Sequence, residues 1–194
     1  MNPRTASVER VTSETRIAST LHLDGTGATE LRTGLGFLDH MLASLCRHAR
    51  FDLKLTCEGD TWVDDHHTVE DCALSLGAAL DQALGDKAGI VRFGHAYAPL
   101  DESLARAVVD LSGRPWPQID LGLRRERIGD VAAENLTHFL VSLAMTAKIN
   151  LHVDLIRGDN DHHRAEAAFK ATALALRQAV RIDGTDVPST KGVL

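Results

Sequence analysis

The sequence carries the same short motif twice, and this duplication constrains the fold more than any other feature. Residues 65–70 read DHHTVE and residues 161–166 read DHHRAE. The two copies are separated by 96 positions in a chain of 194 residues. Because solenoid repeats recur every ~20–50 residues, a spacing near half the chain indicates duplication of a whole unit instead. We therefore predict two similar units related by pseudo-twofold symmetry.

The similarity continues on both sides of the motif. Upstream, LDHMLASL at 38–45 corresponds to LTHFLVSL at 136–143. Farther upstream, Glu14 and Glu102 begin similar segments, each followed by an apolar run and a glycine. The predicted organisation is a first repeat unit at 1–90, a second at 91–184 and a C-terminal tail at 185–194.

Hydrophobic periodicity predicts similar elements in both units. In the first unit it predicts strands at 15–23, 29–33 and 51–57, a helix at 38–50, and a longer helix that begins after Asp64 or Asp65 and ends at Gly85. In the second unit it predicts strands at 106–111, 119–123 and 150–155 and helices at 131–147 and 162–182. The tight turns favour antiparallel pairing. The predicted class is α+β, with each unit a mainly antiparallel sheet that carries helices on one face.

Composition excludes several classes of partner. The net charge of −6 and the aromatic content of 4% argue against a nucleic-acid-binding protein. No apolar stretch approaches the ~20 residues of a membrane span, and residues 1–14 lack the apolar segment of a secretory signal. Three cysteines without CxxC spacing are typical of reduced thiols. We expect a cytoplasmic protein with no nucleic-acid or membrane partner.

Ten histidines are the unusual feature of the composition, and most of them belong to the repeats. In HHxxE at a helix start, the glutamate shares a face with one of the two histidines. Adjacent histidines on a helix point about 100° apart, so one pair can bind two different ions more readily than it can chelate a single ion. The alternative is a solvated helix start in which acidic residues favour the helix dipole. Two copies, each with an upstream histidine on a helix, favour the metal site.

Eight candidate ligands follow, in two similar sets. Nitrogen and oxygen donors of this kind suit Mn, Fe or Zn, and four protein ligands per ion would leave positions open for substrate. His22, His48, His95 and His152 lie outside the repeated pattern, and we assign them no metal role. The candidate ligands are His40, His66, His67, Glu70, His138, His162, His163 and Glu166.

These motifs resemble one enzyme family. GLGFLDHM at 34–41, DDHHTVED at 64–71 and GDNDHHRAEA at 158–167 are similar to segments of imidazoleglycerol-phosphate dehydratases. The resemblance implies a manganese-dependent 24-mer of duplicated α+β units that converts imidazole glycerol phosphate to imidazole acetol phosphate in histidine biosynthesis. It also implies two Mn²⁺ per active site and a homo-oligomer with sites at subunit interfaces. Because 194 residues leave no room for a fused phosphatase domain, we expect a monofunctional enzyme.

The resemblance further implies a division of the eight ligands between the two ions. The family pattern assigns His40, His67, Glu70 and His163 to one ion, and His66, His138, His162 and Glu166 to the other. This division is not symmetric under the repeat, so the set of eight is the firmer expectation.

The chemistry explains why two ions would be needed. The proton must leave a carbon that has no carbonyl beside it, and the chain shows no other electron sink. If metals bind both nitrogens of the substrate's imidazole, the ring loses its proton and can expel the neighbouring hydroxyl as a diazafulvene forms. This mechanism is an expectation from the resemblance and from general chemistry.

The resemblance assigns four further contacts and one catalytic group. Glu14 would be the acid or base, although by sequence alone it is one glutamate among many. Arg92, Arg114, Ser189 and Lys191 would bind the phosphate. Where the family often has Asp-Gln after His40-Met41-Leu42, this chain has Ala43-Ser44, which puts one substrate contact in doubt.

Two other classes of function compete with the dehydratase. A two-metal hydrolase would use a bridging water, but it usually has a carboxylate between its ions, whereas this set is dominated by histidine. A metal-storage protein would leave the predicted phosphate residues without a role.

Overall fold

The computed structural model describes residues 4–194, so residues 1–3 of the first predicted unit lie outside the described range. The first half forms a four-stranded sheet of order β1-β2-β4-β3, covered by two helices. Strand β3 pairs with β4 in parallel and the other pairs are antiparallel. The elements are β1 (Thr5–Val11), β2 (Thr15–His22), β3 (Thr29–Arg32), α1 (Gly36–Ala49), β4 (Asp52–Gly59) and α2 (His66–Leu84).

The second half repeats this topology. Its sheet has the order β5-β6-β10-β7, and β7 is again the one strand paired in parallel. A two-stranded hairpin, β8–β9, precedes the third helix. The elements are β5 (Phe93–Leu100), β6 (Ser103–Asp110), β7 (Trp116–Asp120), β8 (Arg127–Ile128), β9 (Val131–Ala132), α3 (Ala133–Thr146), β10 (Asn150–Arg157) and α4 (Asp161–Ala179).

The two halves pack through their helices. Helix α2 packs on α3 and α1 on α4, while each helix also packs on the sheet of its own half. Strand β2 shows how the sequence sets this layer, since Ile17, Ser19 and Leu21 face inward and alternate with exposed or half-buried neighbours. The result is a pair of outer sheets with four helices between them, and the apolar core lies along the helix layer.

The predicted α+β class and the duplicated, sheet-plus-helix units are confirmed. Strands β1 and β5 were missed because their buried positions hold only small residues, Ala6 in β1 and Gly94 and Ala98 in β5, which give little apolar alternation. Strand β7 lies three residues before its predicted position, and α4 ends at Ala179 instead of 182. The chain beyond α4 leaves the helix because Ile182 bridges to Ile90.

The helices of residues 4–194 include none that is both long enough and apolar enough to cross a membrane.

Candidate metal centre

Three side chains from the two halves converge at the start of α2, and we call them group A: His66, Glu70 and His138. His66 and Glu70 lie one turn apart on α2, and α3 packs alongside to supply His138. The Nε2 of His138 is 3.2 Å from Oε1 of Glu70, and Nε2 of His66 is 3.7 Å from Oε2. One donor atom from each residue lies within 4.8 Å of the other two.

The repeat builds the same arrangement at the start of α4, which we call group B: His40, His162 and Glu166. The Nε2 atoms of His40 and His162 lie 3.1 Å and 3.3 Å from the same Oε2 of Glu166. All three donors again lie within 4.8 Å of one another. Each group therefore pairs two histidines and one glutamate, with one residue contributed by the opposite half.

The donor sets fit divalent transition metals. Two imidazole nitrogens and one carboxylate oxygen suit Mn²⁺, Fe²⁺ or Zn²⁺. Burial tends to raise the pKa of Glu166, but hydrogen bonds from Lys170 and His40 outweigh it and hold the pKa below its ordinary value. The carboxylate is thus ready as a ligand. Three donors leave coordination positions free in each group.

Buried polar residues secure the start of each helix that bears the motif. In group A, Asp65 accepts hydrogen bonds from Ala132 N and Asn135 Nδ2, and Asn135 Oδ1 lies 3.1 Å from Nδ1 of His66. Asp65 occupies the predicted N-cap position of α2, but its carboxylate bonds to the other half of the molecule instead of to its own helix. Asp64 accepts the hydrogen bond from His66 N.

At group B the corresponding carboxylate is Asp161. Its Oδ2 accepts hydrogen bonds from the backbone amides of Arg124 and Arg125, and its Oδ1 pairs with Arg164 at 3.1 Å. Both members of this ion pair are buried, at 2% and 1% exposure. The cap of α4 is Asn160, which accepts from His162 N.

The second histidine of each motif points away from groups A and B. Nδ1 of His67 lies 3.1 Å from both carboxylate oxygens of Asp60, and its Nε2 lies 3.7 Å from Oε1 of Glu14. Nδ1 of His163 lies 2.7 Å from Oε2 of Glu102. Six of the eight predicted ligands are therefore brought into two groups, and two are not.

These carboxylates change the protonation of their partners. The hydrogen bond to Asp60 raises the pKa of His67, and the hydrogen bond to Glu102 raises the pKa of His163. The pKa of Glu102 itself is lowered, first by the backbone amide of Asn160 and then by His163.

Within this chain the ligands are grouped differently from the family-based division. That division placed His40 with Glu70 and separated it from Glu166. In the structure His40 contacts Glu166, and Glu70 contacts His138. The observed groups follow the repeat, because α1 packs on α4 and α2 packs on α3.

The four predicted phosphate residues lie in another part of the chain. Arg92 pairs with Asp110 at 2.7 Å, and its Nη1 donates to Pro188 O in the tail. The tail reaches Gly113, next to Arg114, where a Cβ would lie 3.0 Å from the carbonyl carbon of Leu194. The tail thus passes Arg92 at Pro188 and Gly113 at Leu194, and it carries Ser189 and Lys191 between those two contacts.

Ser44 bears on the contact that the sequence put in doubt. It lies one turn after His40 on α1, is buried, and its hydroxyl has no hydrogen-bond partner among the described residues. Sequence reasoning missed Asp60, Asn135 and Arg164. No periodic signal marks them, since each acts through a contact between elements.

Comparison with known proteins agrees with this geometry. The family model described as imidazoleglycerol-phosphate dehydratase matches residues 33–176. A dehydratase of that name from Phytophthora nicotianae is 60% identical over 98% of this chain, which spans 42% of that relative. One from Candida glabrata is 53% identical over 97% of this chain and 99% of the relative.

Solved structures show the same fold. The imidazoleglycerol-phosphate dehydratase of Staphylococcus aureus superposes with a TM-score of 0.83 at 35% identity, covering 92% of this chain and 99% of that one. The enzyme from Pyrococcus furiosus gives the same TM-score at 34% identity, covering 96% and 100%. Two metal-capable groups on a duplicated fold and full-length relatives lead to one conclusion: the chain belongs to the imidazoleglycerol-phosphate dehydratase family, the hydro-lyases of histidine biosynthesis.

Proposed function

We propose that groups A and B each hold one Mn²⁺ and that the chain dehydrates imidazole glycerol phosphate to imidazole acetol phosphate at sites shared between copies. The observation that carries this proposal is the pair of equivalent three-donor groups, each beside a histidine that belongs to the motif but faces elsewhere. A His67 or His163 from another copy would complete each donor set to three histidines and one glutamate. When bound, the ions supply Lewis acidity toward the ring nitrogens of the substrate's imidazole.

Distances within one chain support shared sites. Arg92 N donates to Ala179 O in the last turn of α4, whereas His162 and His163 lie in its first turn. At 1.5 Å per residue these ends of α4 are about 25 Å apart. A small phosphorylated imidazole does not span that distance. Contact of one substrate molecule with both Arg92 and group B therefore calls for at least two copies of the chain.

We further propose that the assembly is the 24-mer implied by the family. Metal binding and assembly would then depend on each other, because each ion takes ligands from two copies. Removal of metal should weaken the assembly.

Glu14 is the proposed acid or base. Its carboxylate is half exposed and accepts no hydrogen bond from residues 4–194, so it is free to exchange a proton with substrate. It lies 3.7 Å from the outward-facing Nε2 of His67, which places it beside the nitrogen that would meet an ion of another copy. Glu14 would transfer the proton at the carbon next to the departing hydroxyl.

The proposed phosphate site is cationic and partly preformed. Asp110 holds the guanidinium of Arg92 in a bidentate pair, which fixes its position. Arg114, Ser189 and Lys191 would add donors for phosphate oxygens.

The test is reconstitution of metal-free protein with Mn²⁺, followed by an assay for ketone formation from imidazole glycerol phosphate. Wild type should show metal-dependent turnover. Glu14→Gln should lose about 10²- to 10⁴-fold in kcat while still binding Mn²⁺. The matched control is Glu9→Gln, an exposed glutamate on β1, which should keep full activity. Full activity in Glu14→Gln would show that another group transfers the proton.

A further inference from the structure

Asp60 is a nearly buried carboxylate with a single partner. Both of its oxygens lie 3.1 Å from Nδ1 of His67, and among residues 4–194 its side chain forms no other hydrogen bond. A buried carboxylate is costly unless it is paired. This cost is offset here by a contact with one histidine, and that histidine lies outside groups A and B.

Glu102 gives His163 the same kind of contact in the second half. One oxygen, Oε1, accepts hydrogen bonds from the amides of Asp159 and Asn160 at 3.1 Å and 2.8 Å. The other oxygen, Oε2, lies 2.7 Å from Nδ1 of His163. The backbone thus anchors one side of the carboxylate while the other side orients the imidazole.

The two carboxylates reach their histidines from unrelated positions. Asp60 precedes His67 by 7 residues on the loop after β4, whereas Glu102 is 61 residues from His163 in the turn between β5 and β6. Simple duplication would have given corresponding positions. The same contact has been built twice by different means, which indicates that the contact itself is required.

A carboxylate at Nδ1 has a defined effect on a histidine. It accepts a hydrogen bond from Nδ1–H, so the neutral ring keeps its free lone pair on Nε2, and it fixes the direction in which that lone pair points. Carboxylate–histidine–metal arrangements use this effect to strengthen a ligand.

We infer that Asp60 and Glu102 are positioning residues that hold His67 and His163 with Nε2 presented to an ion held by group A or group B of another copy. This inference rests on the proposed function, because it takes the shared sites as given. It separates Glu102 from Glu14: the first orients a ligand, and the second handles a proton.

Manganese affinity of the assembled protein tests the inference. Free Mn²⁺ is followed by its electron paramagnetic resonance signal during titration of the variants Asp60→Ala and Glu102→Ala. Each should weaken binding at one class of site by about 10- to 100-fold. Asp60→Asn and Glu102→Gln keep an acceptor oxygen and should lose less. They also serve where the alanine variants fail to fold.

The matched control is Asp52→Ala. Asp52 also holds backbone amides, those of Thr26, Gly27 and Ala28, but it contacts none of the eight candidate ligands. Its removal should leave manganese affinity unchanged. Unfolding temperatures of the metal-free variants report any structural damage separately.

A double-mutant cycle distinguishes positioning from a structural role. In a His67→Ala background, Asp60→Ala should cause no further loss of manganese affinity, because Asp60 acts only through that ring. Additive losses, or unchanged affinity in both alanine variants, would overturn the inference. If wild type fails to bind two ions per chain or shows no turnover, the proposed function fails instead.

Discussion

Glu14 and Glu102 occupy equivalent places in the two halves and do different things. Each is the last residue of the turn that joins the first two strands of its half, which spans residues 12–14 in the first half and 101–102 in the second. Glu14 lies near Nε2 of His67 with its carboxylate free, whereas Glu102 holds Nδ1 of His163 and two backbone amides. Asp60 performs the Glu102 role in the first half. Duplication therefore supplied two similar frames, and local contacts made one glutamate available for chemistry.

The halves also differ in how they secure the start of the motif helix. Arg164 follows the second motif and forms a buried pair with Asp161, with further hydrogen bonds to Gly158 O and Gly122 O. At the corresponding position of the first half stands Thr68, whose buried hydroxyl has no partner among the described residues. Groups A and B contain the same residue types, but the residues that secure the start of their helices differ.

The largest predicted effect is the loss of activity when group A or group B loses a histidine. His138→Ala removes a donor from group A and His40→Ala removes one from group B. Each should cost about 10³-fold or more in kcat, because Lewis-acid stabilisation is worth several kcal/mol. Each should also reduce the Mn²⁺ content of the assembled protein, measured by elemental analysis. His152→Ala, on the outer face of β10, is the control. Normal activity in either group variant would contradict two equal roles.

The next effect concerns Arg164 and Thr68. Arg164→Ala leaves Asp161 buried without its charge partner and should destabilise the protein by about 3–5 kcal/mol. Thr68→Val replaces an unpaired buried hydroxyl by a methyl group and should be neutral or slightly stabilising. Denaturant unfolding of both variants measures the difference. Equal losses of unfolding free energy in the two variants would mean that Arg164 and Thr68 contribute equally to stability.

A smaller effect is expected where sheet and helix approach most closely. Gly94 on β5 and Ala6 on β1 occupy corresponding positions, but a Cβ on Gly94 would meet Ala175 O of α4 at 1.9 Å. Gly94→Ala should therefore destabilise the protein by about 1–3 kcal/mol or more through overpacking. The control is Gly184→Ala, because a Cβ at Gly184 would meet no atom within 4 Å. Gly85→Ala is unsuitable as a control, because the positive φ of Gly85 strains a residue with a side chain. Thermal unfolding that leaves Gly94→Ala unchanged would refute the close approach.

Acid should destabilise the protein by protonating Asp161 in the second half. Burial tends to raise the pKa of Asp161, but the amides of Arg125 and Arg124 outweigh it and lower the pKa below the ordinary value. Its stabilisation is present above the unfolded pKa and is lost as pH falls through the folded pKa. The free energy of unfolding of metal-free wild type should fall as pH drops below about 4, and less steeply in Asp161→Asn. If the free energy of unfolding depends on pH in the same way in wild type and in Asp161→Asn, Asp161 makes no such contribution.

The smallest effect concerns charge beside the two metal groups. Lys170 pairs with Glu166 at 2.7 Å, and the corresponding residue of the first half is Leu74. A positive charge there repels a doubly charged cation in group B by about 1–2 kcal/mol in water, so Lys170→Leu should raise Mn²⁺ affinity roughly five- to thirtyfold. Titration of free Mn²⁺ measures this. Arg177→Leu, later on α4, controls for loss of charge elsewhere, and unchanged or weaker binding in Lys170→Leu would contradict the repulsion.

Much of the architecture was readable from the sequence because it is local and repeated. The helices that bear HHxxE have strong apolar faces, and two copies of one pattern identify each other. Strands β1 and β5 were not predicted, because the residues they bury are small and give no strong apolar alternation.

The groups of ligands were only partly readable. Helical spacing places Glu70 beside His66 and Glu166 beside His162, because residues four apart share a face. It does not determine which upstream histidine joins each pair. Packing of α1 against α4 and of α2 against α3 decided that His40 meets Glu166 and His138 meets Glu70.

The sequence by itself determined the duplication, the helices and the residue types of two groups that can bind metal, all of which depend on short-range periodicity. Tertiary structure alone decided that Asp60 and Glu102 contact His67 and His163. It also decided that Arg92 lies at the opposite end of α4 from His162. Those outcomes depend on contacts between segments far apart in the chain, and such contacts form only when the two halves pack together.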